Sequence, residues 1–87
     1  MIRLYEIYAE GCPGCEATTP EVEKFGKAHP EIKIVMVDIE RVEWGARAWE
    51  PQVTPTLILL TEAGLYHVRE GQTNLGEIEQ WVGRCLR

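Results

Sequence analysis

Residues 2–15 read Ile2-Arg3-Leu4-Tyr5-Glu6-Ile7-Tyr8-Ala9-Glu10-Gly11-Cys12-Pro13-Gly14-Cys15. Ile2, Leu4, Glu6 and Tyr8 share one side of this stretch and Arg3, Tyr5, Ile7 and Ala9 the other, the period-two pattern of a strand. Glu10-Gly11 supplies a turn. Cys12 then precedes Pro13, a residue favoured at the first helical position because its missing N–H would have had no intrahelical partner. The stretch therefore predicts a strand, a tight turn and a helix that begins at two cysteines. A sulfur placed there meets unpaired N–H groups and the positive end of the helix dipole, both of which favour thiolate over thiol. Thiol–disulfide exchange requires that thiolate. Cys12 is the expected nucleophile. Cys15, one turn in and less exposed, is the expected resolving thiol, close enough to close a small ring with Cys12. A C-x-x-C can also supply half of a zinc site. The spare soft ligands Cys85, His29 and His67 are scattered, however, and a second pair is missing. Beside a strand–helix–strand pattern, a C-x-x-C reads as redox-active.

Working outward, the helix is expected from Pro13 to Ala28, kinked by Pro20 near residues 16–19, with Val22 and Phe25 on its apolar stripe and His29-Pro30 at its end. Residues 32–39 are β-branched and apolar with little alternation, which predicts a strand covered on both faces. Residues 41–50 predict a short helix carrying Trp44 and Trp49 as packing residues, closed by Pro51. Residues 56–61 predict another buried strand, 62–64 a hairpin turn, and 65–70 a fourth strand more exposed on one side. Asn74 ends the following loop as an N-cap. Leu75, Ile78, Val82 and Cys85 then form one stripe of a last helix over 75–86. The order is β-α-β-α-β-β-α, an α/β fold with a mixed four-stranded sheet and helices on both faces. The first crossover makes its strands parallel.

At 87 residues the chain fits one domain, 1–87. A net charge of −5 argues against nucleic acid or an anionic membrane as a partner. No apolar run approaches the ~20 residues of a membrane span. The first eight residues are too short and too charged for a signal peptide, so a cytoplasmic location is expected. Three cysteines, an odd and low count, do not suit a disulfide-stapled secreted scaffold.

At this point the sequence resembles the thioredoxin superfamily. Glu6-Ile7-Tyr8-Ala9-Glu10-Gly11-Cys12 is similar to that family's approach to its active site: an acid, two bulky residues, Ala-Glu, then one residue before Cys. Pro20 lies eight residues after Cys12, where thioredoxins carry a helix-kinking proline. Val53-Thr54-Pro55-Thr56 resembles the family's cis-proline segment, and Gly71 follows the last strand as it does there. The resemblance implies a redox-active Cys12–Cys15 disulfide with no other cofactor and no metal, and a cis Thr54–Pro55 bond facing the cysteines. It also implies that the backbone of Thr54 receives an extended substrate and that the bulk of Pro55 keeps metal from the thiols. Gly11, Pro13 and Gly14 would complete the substrate surface. Glu6 would be a buried acid beneath Cys15, its pKa raised by its apolar setting, relaying a proton to the resolving thiol; the residues alone leave an exposed strand position as the alternative.

The implied activity is reduction of protein disulfides by a monomer, with electrons from a thioredoxin reductase or a low-molecular-weight thiol. Departures from the family pattern keep other readings in view. The chain is expected to lack the N-terminal strand and helix of longer thioredoxins and so resembles glutaredoxin-sized members. Gly11 replaces the tryptophan that usually precedes the first Cys. Pro13-Gly14 matches neither the usual thioredoxin Gly-Pro nor the usual glutaredoxin Pro-Tyr. Gly71-Gln72-Thr73-Asn74 lacks the Gly-Gly and acid with which glutaredoxins hold glutathione. A glutathione-linked glutaredoxin and a non-catalytic thioredoxin-fold binding module are the alternatives. Cys85 is read as a small buried hydrophobe, and His29 and His67 as solvated.

Overall fold

A computed structural model of the chain describes residues 1–41 and 53–87. Strand β1 (Ile2–Tyr8) leads through the Glu10-Gly11 turn into helix α1 (Pro13–Ala28), and strand β2 (Ile32–Asp38) follows. Strands β3 (Thr56–Leu60) and β4 (Tyr66–Glu70) form a hairpin, and helix α2 (Leu75–Cys85) ends the fold. The sheet order is β2-β1-β3-β4, with β1 parallel to β2 and antiparallel to β3, and β3 antiparallel to β4. This is the mixed four-stranded sheet of the expected thioredoxin-like fold. The helix expected over 41–50, with Trp44 and Trp49, lies beyond Arg41 outside the described residues, and the expectation of helices on both faces depends on it.

The helix-facing side of the sheet carries one hydrophobic cluster, and Ile7 and Ile58 on the opposite row are buried as well. Leu4, Ile32, Leu57 and Leu59 meet Val22 and Phe25 of α1 and Ile78, Trp81 and Val82 of α2 in a single buried cluster. The apolar stripe of α2 is the one its sequence predicts, with Trp81 added to it. Its start is closed by a capping box in which Asn74 accepts from the Glu77 N–H and Glu77 accepts from the Asn74 N–H. Two side chains of α1 fasten the two helices together. Thr18 Oγ1 accepts from the Thr73 N–H at 3.2 Å, and Glu21 Oε1 accepts from the Leu75 N–H at 3.2 Å. Cys85 sits at the margin of this cluster, half-buried rather than fully buried, and burial pushes its thiol pKa up.

Three expectations are corrected. Strand β2 lies at an edge of the sheet and is only partly covered; Met36 is 41% exposed. A β-branched run suits a pleated backbone wherever the strand sits, so it does not report sheet position. In β4 the exposed row is Tyr66, Val68 and Glu70, while His67, expected to be solvated, is half-buried. The pairing Leu59↔His67 and Ile58↔Val68 sets that phase, and Arg69 is drawn to the helix side by Thr73 and Glu77. His29 is not simply solvated either: its ring lies 4.5 Å from that of Phe25, and Nε2 is 3.0 Å from Glu79 of α2.

Helix α1 approaches β2 closely at Gly26, where an added Cβ would stand 2.7 Å from Ile34 Cγ1. Alanine there gains about 1 kcal/mol of helix propensity but collides with a stiff β-branched side chain, an overpacking cost of about 1–3 kcal/mol. Gly26→Ala is expected to lower the midpoint of urea unfolding; a raised midpoint would mean that the helix stands farther from the sheet.

Candidate active site

The site begins where β1 ends. Gly11 adopts φ +73, a left-handed conformation that glycine accepts without strain, and turns the chain from the strand into α1. Cys12 is the N-cap residue of that helix and Pro13 follows at its first position. The Cys15 N–H donates to Cys12 Sγ at 3.1 Å, and the Cys15 and Glu16 N–H groups lie 3.1 Å from the Cys12 carbonyl. A sulfur thus occupies the place usually held by a capping oxygen. Cys12 and Cys15 form a disulfide, their Cα atoms 5.2 Å apart. Cys12 is half-buried and Cys15 is 4% exposed, so one sulfur is open to an incoming partner and the other is shielded by the helix.

The segment before β3 forms the facing wall. The Thr54–Pro55 peptide is cis. The Thr54 carbonyl and Thr54 Oγ1 each lie 3.5 Å from Cys12 Sγ. Pro55 is buried, and its carbonyl accepts from the Gly71 N–H at 2.9 Å, while Thr56 Oγ1 donates to the Val53 carbonyl at 2.7 Å. The first bond ties the wall to the loop after β4, and the second closes the wall segment on itself. Gly14 lies directly against it: a Cβ at Gly14 would be 3.2 Å from Pro55 Cδ and 3.9 Å from Gln72 Cβ. Gln72 therefore stands beside the cysteine turn, a neighbour that the sequence marks only as a loop residue. Gly11 and Pro13 are exposed at the mouth of the site.

Glu6 is fully buried. It shares the helix-facing side of β1 with Leu4 and pairs across the sheet with Met36 and Leu57. Its Oε2 accepts from Thr19 Oγ1 at 2.8 Å, whereas Oε1 has no hydrogen-bond partner among the described residues. Desolvation raises its pKa above the ordinary 4.5; the Thr19 bond opposes that shift and nearby Glu23 adds to it. A groove of about 420 Å³ lined by Gly11, Cys12, Cys15, Glu16, Thr19 and Pro20 brings the sulfurs and Thr19 to one surface. Among the described residues no three His, Cys, Asp or Glu side chains gather as metal ligands, and no helix is long and apolar enough to cross a membrane. Thr19 is the polar partner that sequence reading missed; its spacing of four from Cys15 is the signal that could have marked it.

The raised carboxyl pKa carries a sign for stability. A buried acid harder to ionise in the folded chain than in the unfolded one favours folding below the unfolded pKa, and that contribution is lost as pH rises through the folded value. Glu6→Leu, which keeps the volume and removes the charge, is expected to be more stable than wild type at pH 7 in urea unfolding of the oxidised protein. The advantage should shrink as pH falls toward 4.5. A difference independent of pH would show that Glu6 does not titrate in its buried site.

Comparison with known proteins agrees with this geometry. The thioredoxin family model matches residues 2–84. The curated Aspergillus fumigatus protein thioredoxin Asp f 28 is 22% identical over 79 residues, covering 91% of this chain and 73% of its own length. Among solved structures, thioredoxin-2 of the malaria parasite superposes with a TM-score of 0.85 at 20% identity, covering 97% of this chain and 82% of that one. Fasciola hepatica thioredoxin does so with a TM-score of 0.81 at 22% identity, covering 95% and 79%. With the family model spanning nearly all of the sequence and a close cysteine pair at the head of α1, the chain belongs to the thioredoxin family of thiol–disulfide oxidoreductases.

Proposed function

We propose that the chain reduces disulfide bonds of protein substrates by cycling Cys12 and Cys15 between dithiol and disulfide. The observation that supports this most directly is the position of the pair: an accessible sulfur at the N-cap of α1, facing Thr54, with a shielded sulfur one turn behind it. In the first step the Cys12 thiolate attacks one sulfur of the substrate disulfide, and the other substrate sulfur leaves as a thiolate. Cys15 then attacks Cys12 Sγ. The mixed disulfide breaks, the second substrate sulfur leaves, and the Cys12–Cys15 bond forms. Two electrons have passed to the substrate.

Cys12 suits the attacking role because an N–H donor and the helix N-terminus favour its anion. Glu6 suits the proton acceptor for Cys15, because a carboxyl with a raised pKa takes up a proton more readily at neutral pH than an ordinary one. An extended substrate segment would lie along the Thr54 backbone, with Gly11, Pro13 and Gly14 at its sides and Pro55 below. The chain's own disulfide serves as the redox group, with no added cofactor or metal. A thioredoxin reductase or a low-molecular-weight thiol returns the electrons. A net charge of −5 supports action away from nucleic acid and anionic membranes, and a monomer in the cytoplasm is the setting proposed.

Insulin reduction with dithiothreitol tests the reading. Wild type is expected to accelerate precipitation of the insulin B chain, and Cys12→Ser to lose that acceleration, about 10³-fold or more for loss of a covalent nucleophile. Cys15→Ser should accumulate a mixed disulfide with substrate, visible by mass spectrometry. Unchanged activity in Cys12→Ser, or stoichiometric zinc binding without turnover, would overturn it. Replacing dithiothreitol by glutathione or by a thioredoxin reductase with its nicotinamide donor identifies the source of electrons.

A further inference from the structure

A threonine inside a helix commonly turns its hydroxyl back to the carbonyl four residues earlier. For Thr19 that residue is Cys15, yet its hydroxyl donates instead to Glu6 Oε2 on β1, 2.8 Å away. Residues four apart share a helix face, so Thr19 sits one turn from the resolving cysteine, and both line the same open groove. The adjacent Thr18 has a separate duty, fully buried and accepting from the Thr73 N–H. Glu6 is fully buried, and among the described residues its second oxygen has no hydrogen-bond partner. We propose that Thr19 is a positioning residue of the exchange reaction: its hydroxyl anchors Glu6 Oε2 and leaves Oε1 as the oxygen that exchanges a proton with Cys15. This rests on the reading of Glu6 as proton acceptor.

The charges around Glu6 leave the hydroxyl this role. On α1, Glu23 acts against ionisation, and Glu16 lines the groove together with Glu10 of the preceding turn. Toward β2 the facing residue is Met36, with Asp38 two positions on and paired to Arg41. Toward β3 it is Leu57, and beyond it Arg69 of β4 is bound to Thr73 and to Glu77 of α2. Among the described residues, no cation is hydrogen-bonded to Glu6 and Thr19 is its hydrogen-bond donor. In the resolving step the Cys15 S–H proton passes to Glu6 Oε1 and the Cys15 sulfur attacks Cys12 Sγ. The bond from Cys12 to the substrate sulfur breaks, its electron pair leaves on the substrate thiolate, and water protonates that thiolate. Reduction of the Cys12–Cys15 disulfide returns the Glu6 proton to Cys15.

The test is the pH profile of mixed-disulfide resolution in single turnover, with the Glu6 carboxyl titration followed by carbon NMR, in wild type, Thr19→Val, Thr19→Ser and Glu6→Gln. Loss of a hydrogen bond to the carboxylate should move the rising limb of the Thr19→Val profile to higher pH. At a fixed pH on that limb its rate should fall about three- to tenfold. Thr19→Ser should restore the wild-type profile. A Thr19→Val profile that superimposes on wild type, or a Thr19→Ser variant that behaves like Thr19→Val, would overturn the proposal. Glu6→Gln separates the two layers. If it abolishes the limb while Thr19→Val leaves it in place, only the role of Thr19 fails; if it too leaves the limb in place, the role of Glu6 fails with it. Should Thr19→Val fold poorly, Thr19→Ala carries the same expectation.

Discussion

The first N–H groups of a helix have no partner within it, and at the start of α1 one of them is satisfied by sulfur. Cys12 Sγ accepts from the Cys15 N–H where a serine or aspartate oxygen would ordinarily stand. The same bond that caps the helix therefore places the reactive atom in a field that favours its anion. Structure and chemistry meet in one contact, and the surrounding elements hold it in place. Gly11 turns the chain out of β1 so that Cys12 can take the cap position, and Pro13 begins the helix without leaving an N–H to satisfy.

Holding that contact requires α1 to be fixed along its length. The apolar cluster of Leu4, Val22, Phe25, Leu57 and Leu59 seats the helix on the sheet. The bonds from Thr18 and Glu21 to the backbone before and at the start of α2 keep it from sliding. From the other side, Pro55 and its bond to Gly71 set the wall that faces the sulfur, and Gly14 allows the wall to approach. Glu6 is a costly element. A buried carboxyl with one hydrogen-bond donor among the described residues lowers stability at neutral pH relative to an apolar residue of the same size. Its link to the groove runs through Thr19, which lines it, and that link is the basis of the proposed chemical role.

Much of this was legible in the residues. The alternation of residues 2–9, the Pro after Cys12 and the stripe of α2 report local physics, and the described elements follow them closely. The Cys12–Cys15 pair was marked by its spacing together with its place between a strand and a helix start. Less was legible where tertiary context decides. The apolar run of β2 identifies a strand but not an edge position. The phase of β4 follows from its pairing with β3, not from its own composition, so Tyr66 faces outward at 68% exposure while His67 turns in. The i, i+4 spacing from Cys15 places Thr19 on the cysteine face of the helix, but its bond to Glu6 across 13 residues and the approach of Gln72 from the β4–α2 loop are tertiary contacts that no local pattern encodes.

The capping contact can be measured directly in the reduced protein. Thiolate absorbance near 240 nm, followed against pH in wild type and in Cys15→Ser, reports the ionisation of Cys12. The predicted result is a midpoint below the ~8.5 of a free cysteine, present in both proteins and absent from Cys12→Ser. A midpoint at or above that value would show that the helix start does not stabilise the sulfur anion, and the link between the fold and its chemistry would be lost.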